Sequence, residues 1–247
     1  MINLQTSAIT RDFGGLRALD DVTFHIDKPQ IVGLIGPNGA GKTTLTNVLC
    51  GVHKPTIGTA HLNDERIDGL PTHEIARKGL GRTFQIPRPF RRMTVLENLL
   101  VPAMALHVTM RRKALEDSAR EILDLLTIRH LEQEYGRSLS GGQQKLLELG
   151  RLLMLDPKIL ILDEPFAGVH PRLMETIYEY IRIVRKEGKA ILLISHDMSA
   201  IFSLSERMLV LDNGQLIADG DPDDVRSDRA VIEAYLGEEN AEGEEAA

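Results

Sequence analysis

The sequence predicts an α/β fold with a parallel sheet at its centre. Three short runs, Ile31–Ile35, Ile159–Leu162 and Ala190–Ile194, are apolar on both faces, as strands buried between two layers must be. Each leads through a polar or Gly-rich turn into a segment with helical spacing, the alternation that lays helices over a parallel sheet. The helices following these strands fall at Lys42–Cys50, Pro171–Glu187 and Met198–Leu204.

The remaining elements follow from changes of period along the chain. The first 26 residues and Gly58–Asn63 alternate as short strands with turns and predict an antiparallel β patch leaning on the main sheet, and residues 207–218 carry a similar pattern. From about Ile86 to Leu155 the strand signal stops. Thr94–Leu106, Arg111–Leu126 and Gly141–Leu155 space Leu, Ile and Met as helices do, so this stretch reads as a helical insertion. The predicted organisation is a β patch and first half of the core over 1–85, a helical subdomain over 86–155 and the second half of the core over 156–237. An acidic tail over 238–247 is too polar to bury anything.

Composition narrows the function classes. The 247 residues carry 29 Lys+Arg against 36 Asp+Glu, a net −7, and five of the acids fall in the last ten residues. A near-neutral body without a basic block gives no support for a nucleic-acid partner. One cysteine, Cys50, excludes a disulfide framework, and the N-terminus lacks a secretion signal, so a reducing cytosol is expected. Apolar runs such as Leu99–Leu106 fall well short of the ~20 residues a spanning helix needs. Any membrane role therefore goes through partners.

Gly36-Pro37-Asn38-Gly39-Ala40-Gly41-Lys42-Thr43-Thr44 places glycines, Lys and a hydroxyl residue between a buried strand and a helix, which is a phosphate loop. Backbone N–H groups and the helix's positive end converge there on a triphosphate, Lys42 adds a point charge, and the Thr43 hydroxyl suits Mg²⁺, a hard ion that prefers oxygen. The strand Ile159–Leu162 ends in Asp163 and Glu164, one carboxylate for the Mg²⁺ shell and one to polarise an attacking water. A third buried strand delivers Ser195 and His196 to the same sheet edge, within reach of the terminal phosphate and Glu164. Ser140 and Gln143 fit a capping box. The adjacent Gly141 and Gly142 leave the first N–H groups of that helix open as a second anion site.

These motifs, LSGGQ (139–143) above all, with ILILDEP and ISHD, resemble the ATPase subunit of an ATP-binding cassette (ABC) transporter over residues 1 to about 237. The resemblance implies a P-loop NTPase (RecA-like) core with an antiparallel β subdomain and an inserted α-helical subdomain. It also implies ATP with Mg²⁺ and head-to-tail pairing, in which Ser140, Gly141, Gly142 and Gln143 of one subunit close over ATP held by the other. It places Phe13 on adenine, with Phe24 competing for that role. Gln85 becomes the link to the helical subdomain, acting with Glu164 and His196 in catalysis and with Thr43 and Asp163 at the metal. His170 stands where most cassettes carry an interface aspartate, which leaves that contact open.

Phe13–Leu19, Gly81–Gln85, Met93–Asn98 and Glu233–Gly237 are similar to ATPases of branched-chain amino acid importers. In that group two different cassette subunits usually pair beneath two different transmembrane permeases at the cytoplasmic face of the membrane, and an external binding protein delivers substrate; for this chain a homodimer or a heterodimer stays open. Arg88, Arg91 and Arg92 then face the permease, unless they form only a solvated basic loop. The other readings are a urea or amide importer, a lipopolysaccharide-type exporter, and a soluble ABC ATPase, whose usual coiled-coil insertion or second cassette does not fit in 247 residues.

Overall fold

A computed structural model describes residues 2–106 and 111–235. The chain forms β1 (Leu4–Phe13), β2 (Leu16–Ile26), β3 (Ile31–Ile35), α1 (Lys42–Leu49), β4 (Ile57–Leu62), β5 (Glu65–Arg66), α2 (Thr72–Arg77) and β6 (Leu80–Arg82). Three helices follow, α3 (Val95–Leu106), α4 (Arg112–Leu125) and α5 (Gly141–Leu153). The chain then returns through β7 (Ile159–Asp163), α6 (Pro171–Lys186), β8 (Ala190–Ile194), α7 (Met198–Leu204), β9 (Arg207–Asp212), β10 (Gln215–Gly220) and α8 (Pro222–Ser227).

Six strands make the central sheet in the order β10-β9-β3-β8-β7-β6, parallel except for β10 at its edge. Strand side chains alternate between faces, and here both faces are covered. Ile31, Leu160, Leu162, Ile191, Leu193, Met208 and Val210 enter one core with the helices α3 to α7. Val32, Leu34, Ile159, Ile161, Leu192, Leu209 and Leu211 enter a second core with α1 and the other sheet. That second sheet is antiparallel, in the order β2-β1-β4-β5, and is the predicted β patch.

The helical stretch packs by the spacing that predicted it. Leu115, Ala119 and Leu123 repeat every four residues along α4 and are buried. Gly150 on α5 lets that helix approach α4 closely, because a Cβ there would meet Leu126 Cδ1 at 3.0 Å.

The expected strands and helices form, with ends displaced by one or two residues. The C-terminal hairpin is a correction. Residues 207–218 do form β9 and β10, but β9 lies in the central sheet beside β3 rather than in the antiparallel patch. Met208–Leu211 are buried on both faces, and the polar residues flanking them made an interior strand look like a surface one. Strand β6 pairs with β7 in parallel at the edge of the central sheet. The acidic tail lies outside the described residues.

Candidate active site

Parallel strands bring their carboxyl ends to one edge, and β3, β7 and β8 hand over there to Gly36, Glu164 and Ser195. Gly36 has φ +150° with its Cβ position 2.0 Å from Leu211 O, so only glycine fits. Gly41, at φ +104°, precedes α1 and supplies no side-chain cap to it. Asn38 and Gly39 are exposed at the rim. Lys42, buried to 9% exposure, donates from Nζ to Gly36 O at 2.5 Å and Pro37 O at 2.8 Å, so the loop holds its own cation over the cradle.

Beside the loop is a cavity of about 440 Å³ whose lining includes Thr43, Arg82, Gln85, Glu148 and Asp163. Among the described residues no cluster of three or more His, Cys, Asp or Glu could hold a metal. The hydroxyl of Thr43, the amide of Gln85 and the carboxylate of Asp163 nevertheless line one space, an all-oxygen set that suits Mg²⁺ shared with phosphate. Asp163 accepts from Arg82 Nη2 at 2.7 Å and its N–H donates to Thr83 Oγ1 at 3.0 Å, which fixes both its side chain and its backbone.

Glu164 is 7% exposed and has φ +50°, left-handed for a residue with a side chain. Its N–H donates to Ile194 O at 2.9 Å, tying the end of β7 to the end of β8. The carboxylate turns towards His196, whose backbone N–H donates to Oε2 at 3.3 Å and whose Nε2 stands 3.4 Å from Oε1. Burial pushes this carboxyl above its ordinary range and the charge of His196 opposes that rise. A carboxylate so raised and partly desolvated has the character of a general base.

Ser140 and Gln143 close the capping box at α5: the Ser140 N–H donates to Gln143 Oε1 at 2.9 Å and the Gln143 N–H to Ser140 Oγ at 3.4 Å. The capping box that the sequence predicts is thus formed, and it takes the Gln143 N–H. Gly141 stays exposed, with nothing within 4 Å of a Cβ placed on it.

The ABC transporter family profile matches residues 19–167, and a profile for branched-chain amino acid ATP-binding cassette transporters matches 215–241. The chain is 40% identical to the high-affinity branched-chain amino acid transport ATP-binding protein BraF of Pseudomonas aeruginosa, over 95% of this chain and 98% of that one. The chain belongs to the ABC transporter ATP-binding family. A probable branched-chain amino acid transport ATP-binding protein, LivG, of Archaeoglobus fulgidus is 38% identical to this cassette, over 97% of each chain. A solved ATP-binding cassette of an ABC transporter superposes with TM-score 0.85 at 36% identity, covering 95% of this chain and 99% of that one. A cassette solved in its ADP conformation gives 0.84 at 35%, covering 96% and 99%. The cassette is therefore a nucleotide-binding P-loop ATPase.

Phe13 and Phe24, left as competitors by the sequence, separate in the fold. Phe24 is 3% exposed in the core, whereas Phe13 is 38% exposed, with Arg11 4.4 Å above its ring and the His53 ring 5.2 Å from it, edge to face. Thr44 is partly buried in the first turn of α1, and Ala40 closes the loop by donating to Pro37 O at 3.2 Å. Gly142 packs under Leu173, whose Cδ1 would lie 2.9 Å from a Cβ there. His170 caps α6, its Nδ1 accepting from the Arg172 N–H at 3.3 Å, so the imidazole does the capping that an aspartate carboxylate would do.

Sequence reading missed Arg82 and Lys145. Lys145 is 6% exposed on α5 and donates from Nζ to Gln85 O at 2.7 Å and Glu164 O at 3.0 Å. A lysine on the apolar face of a predicted helix was the available signal, since such a group stays buried only with partners.

Proposed function

We propose that this cassette powers an importer of branched-chain amino acids, working as one of two cassette subunits beneath two transmembrane permeases, with an extracytoplasmic binding protein supplying substrate. The observation that carries this reading is the 40% identity to BraF across nearly the whole of both chains, supported by the profile matched at 215–241. The substrate is taken over from these relatives, because a cassette carries no amino acid site of its own.

In this reading the N–H groups opening α1 and the ammonium of Lys42 bind the triphosphate, and Phe13 stacks on adenine. Thr43, Gln85 and Asp163 hold Mg²⁺, which supplies positive charge to the phosphate oxygens. Glu164 takes a proton from the attacking water while His196 holds its carboxylate, a general-base role. Ser140, Gly141, Gly142 and Gln143 meet the nucleotide held by the partner cassette, which fits the exposure of Ser140 and Gly141 in the single chain.

No helix among the described residues is long and apolar enough to cross a membrane. Attachment at the cytoplasmic face then runs through a permease contact around the Gln85 loop. There Phe84, Ile86, Phe90 and Met93 are 54%, 69%, 42% and 38% exposed, beside exposed Arg88, Arg91 and Arg92. An apolar patch rimmed by cations is a docking surface in kind.

The test is to extract native membranes gently with ATP and a tagged Glu164→Gln chain, and to identify what co-purifies. Two permeases and a cassette subunit are the expected result. A self-paired chain without membrane subunits overturns the reading.

A further inference from the structure

One face of α5 grips the backbone of the loop after β6. Lys145, Glu148 and Arg151 recur every three residues and so stand in a row along the helix. Lys145 Nζ donates to Gln85 O at 2.7 Å, Glu148 Oε1 accepts from the Phe84 N–H at 3.0 Å, and Arg151 Nη1 donates to Arg88 O at 2.9 Å. These are bonds to main-chain groups, so the row holds the course of the loop whatever side chains it presents.

Only the first rung, among the bonds in this row, also reaches the sheet edge. The same Lys145 ammonium donates to Glu164 O at 3.0 Å. Glu164 is the residue held at φ +50°, and a side-chain-bearing residue keeps such a conformation only where its surroundings over-determine it. Its N–H is fixed by Ile194 O and its carbonyl by Lys145, with a weaker bond from the Ala167 N–H at 3.3 Å. The direction of the carboxylate towards His196 follows from that backbone setting.

We propose that Lys145 is a positioning residue for hydrolysis, one ammonium that ties the Gln85 loop and the Glu164 backbone together, so that the base is correctly aimed only while the loop is seated on α5. This deepens the proposed mechanism and rests on Glu164 being the base. A force on the exposed loop then reaches the Glu164 carbonyl through Lys145, beside the links that Thr83 and Arg82 make to Asp163.

The test compares Lys145→Met, Lys145→Arg and Glu164→Gln in the full-length chain, measuring kcat and KM for ATP, binding of a fluorescent ATP analogue, and thermal unfolding. Lys145→Met is expected to lower kcat about tenfold and to leave nucleotide affinity within about threefold, because no cradle contact is lost. Lys145→Arg is expected to recover most of kcat, since a guanidinium has donors for both carbonyls. Unchanged kcat in Lys145→Met overturns the proposal. So does a loss in which affinity and kcat fall together and Arg is no better than Met, the pattern of a merely structural lysine. If Lys145→Met does not fold, Lys145→Gln, which keeps a donor, is read by the same criteria. Wild-type turnover in Glu164→Gln defeats the assignment of the base itself, whereas slow Glu164→Gln beside normal Lys145→Met defeats only the role of Lys145.

Discussion

Arg82 and Asp163 form a nearly buried ion pair in the wall of the nucleotide-side cavity, Nη2 to Oδ2 at 2.7 Å, with side chains only 7% and 10% exposed. The other arm of the guanidinium donates to Asn47 Oδ1 at 2.7 Å, so one arginine joins β6, β7 and α1. Removing one partner of such a pair leaves an uncompensated charge out of water, which costs about 3–5 kcal/mol. Arg82→Met is expected to destabilise the chain by that order in denaturant unfolding. A change below about 1 kcal/mol, the worth of an exposed pair, would show that the site is wetter than its burial implies.

Glu164→Gln is expected to bind ATP but to hydrolyse it at least tenfold more slowly, about 1.4 kcal/mol of barrier. It also carries a stability prediction. Burial raises the folded-state pKa of this carboxyl, so its contribution to stability is present below the ordinary carboxylate pKa and lost as pH rises through the raised one. The amide avoids that loss, and Glu164→Gln should melt no lower than wild type at neutral pH and lower relative to it in acid. Differential scanning calorimetry across pH decides the sign.

The same shift sets the pH dependence of turnover. The base must be ionised, so the acid limb of kcat lies above the ordinary carboxylate range. His196 pulls the Glu164 pKa down against burial. In the residual activity of His196→Ala the limb should therefore move to higher pH, and a limb that stays in place or moves to lower pH removes His196 from the environment of the base.

Two phenylalanines should separate cleanly by assay. Phe13→Ala should weaken ATP binding by about 1–3 kcal/mol, the worth of a base stack, with little effect on folding. Phe24→Ala empties a core position and should cost about 3–5 kcal/mol of stability. Reversed effects would move the adenine site.

Gly141→Ala should fold as well as wild type, because nothing lies within 4 Å of the added methyl. In the proposed pairing of cassettes that methyl meets the partner's nucleotide, so on this reading assembled transporters should lose turnover by about tenfold or more. Full activity in the assembled complex would place Gly141 away from the interface.

Much of this protein is determined by the sequence alone, and for a local reason. Burial on both faces of β3, β7 and β8 leaves apolar runs without alternation, and the phosphate loop and the capping box are chemistries of adjacent residues, so Gly36 to Thr44, Asp163, Glu164 and Ser140 to Gln143 are legible in order along the chain. The tertiary structure alone decided what depends on distant pairing. It set β9 beside β3 across more than 170 residues, joined Arg82 to Asp163 across 81, and carried Lys145 to carbonyls 60 and 19 residues away. A backbone carbonyl leaves no mark in the sequence to say which side chain will reach it, and a buried cation reads as an ordinary polar residue until the fold supplies its partner.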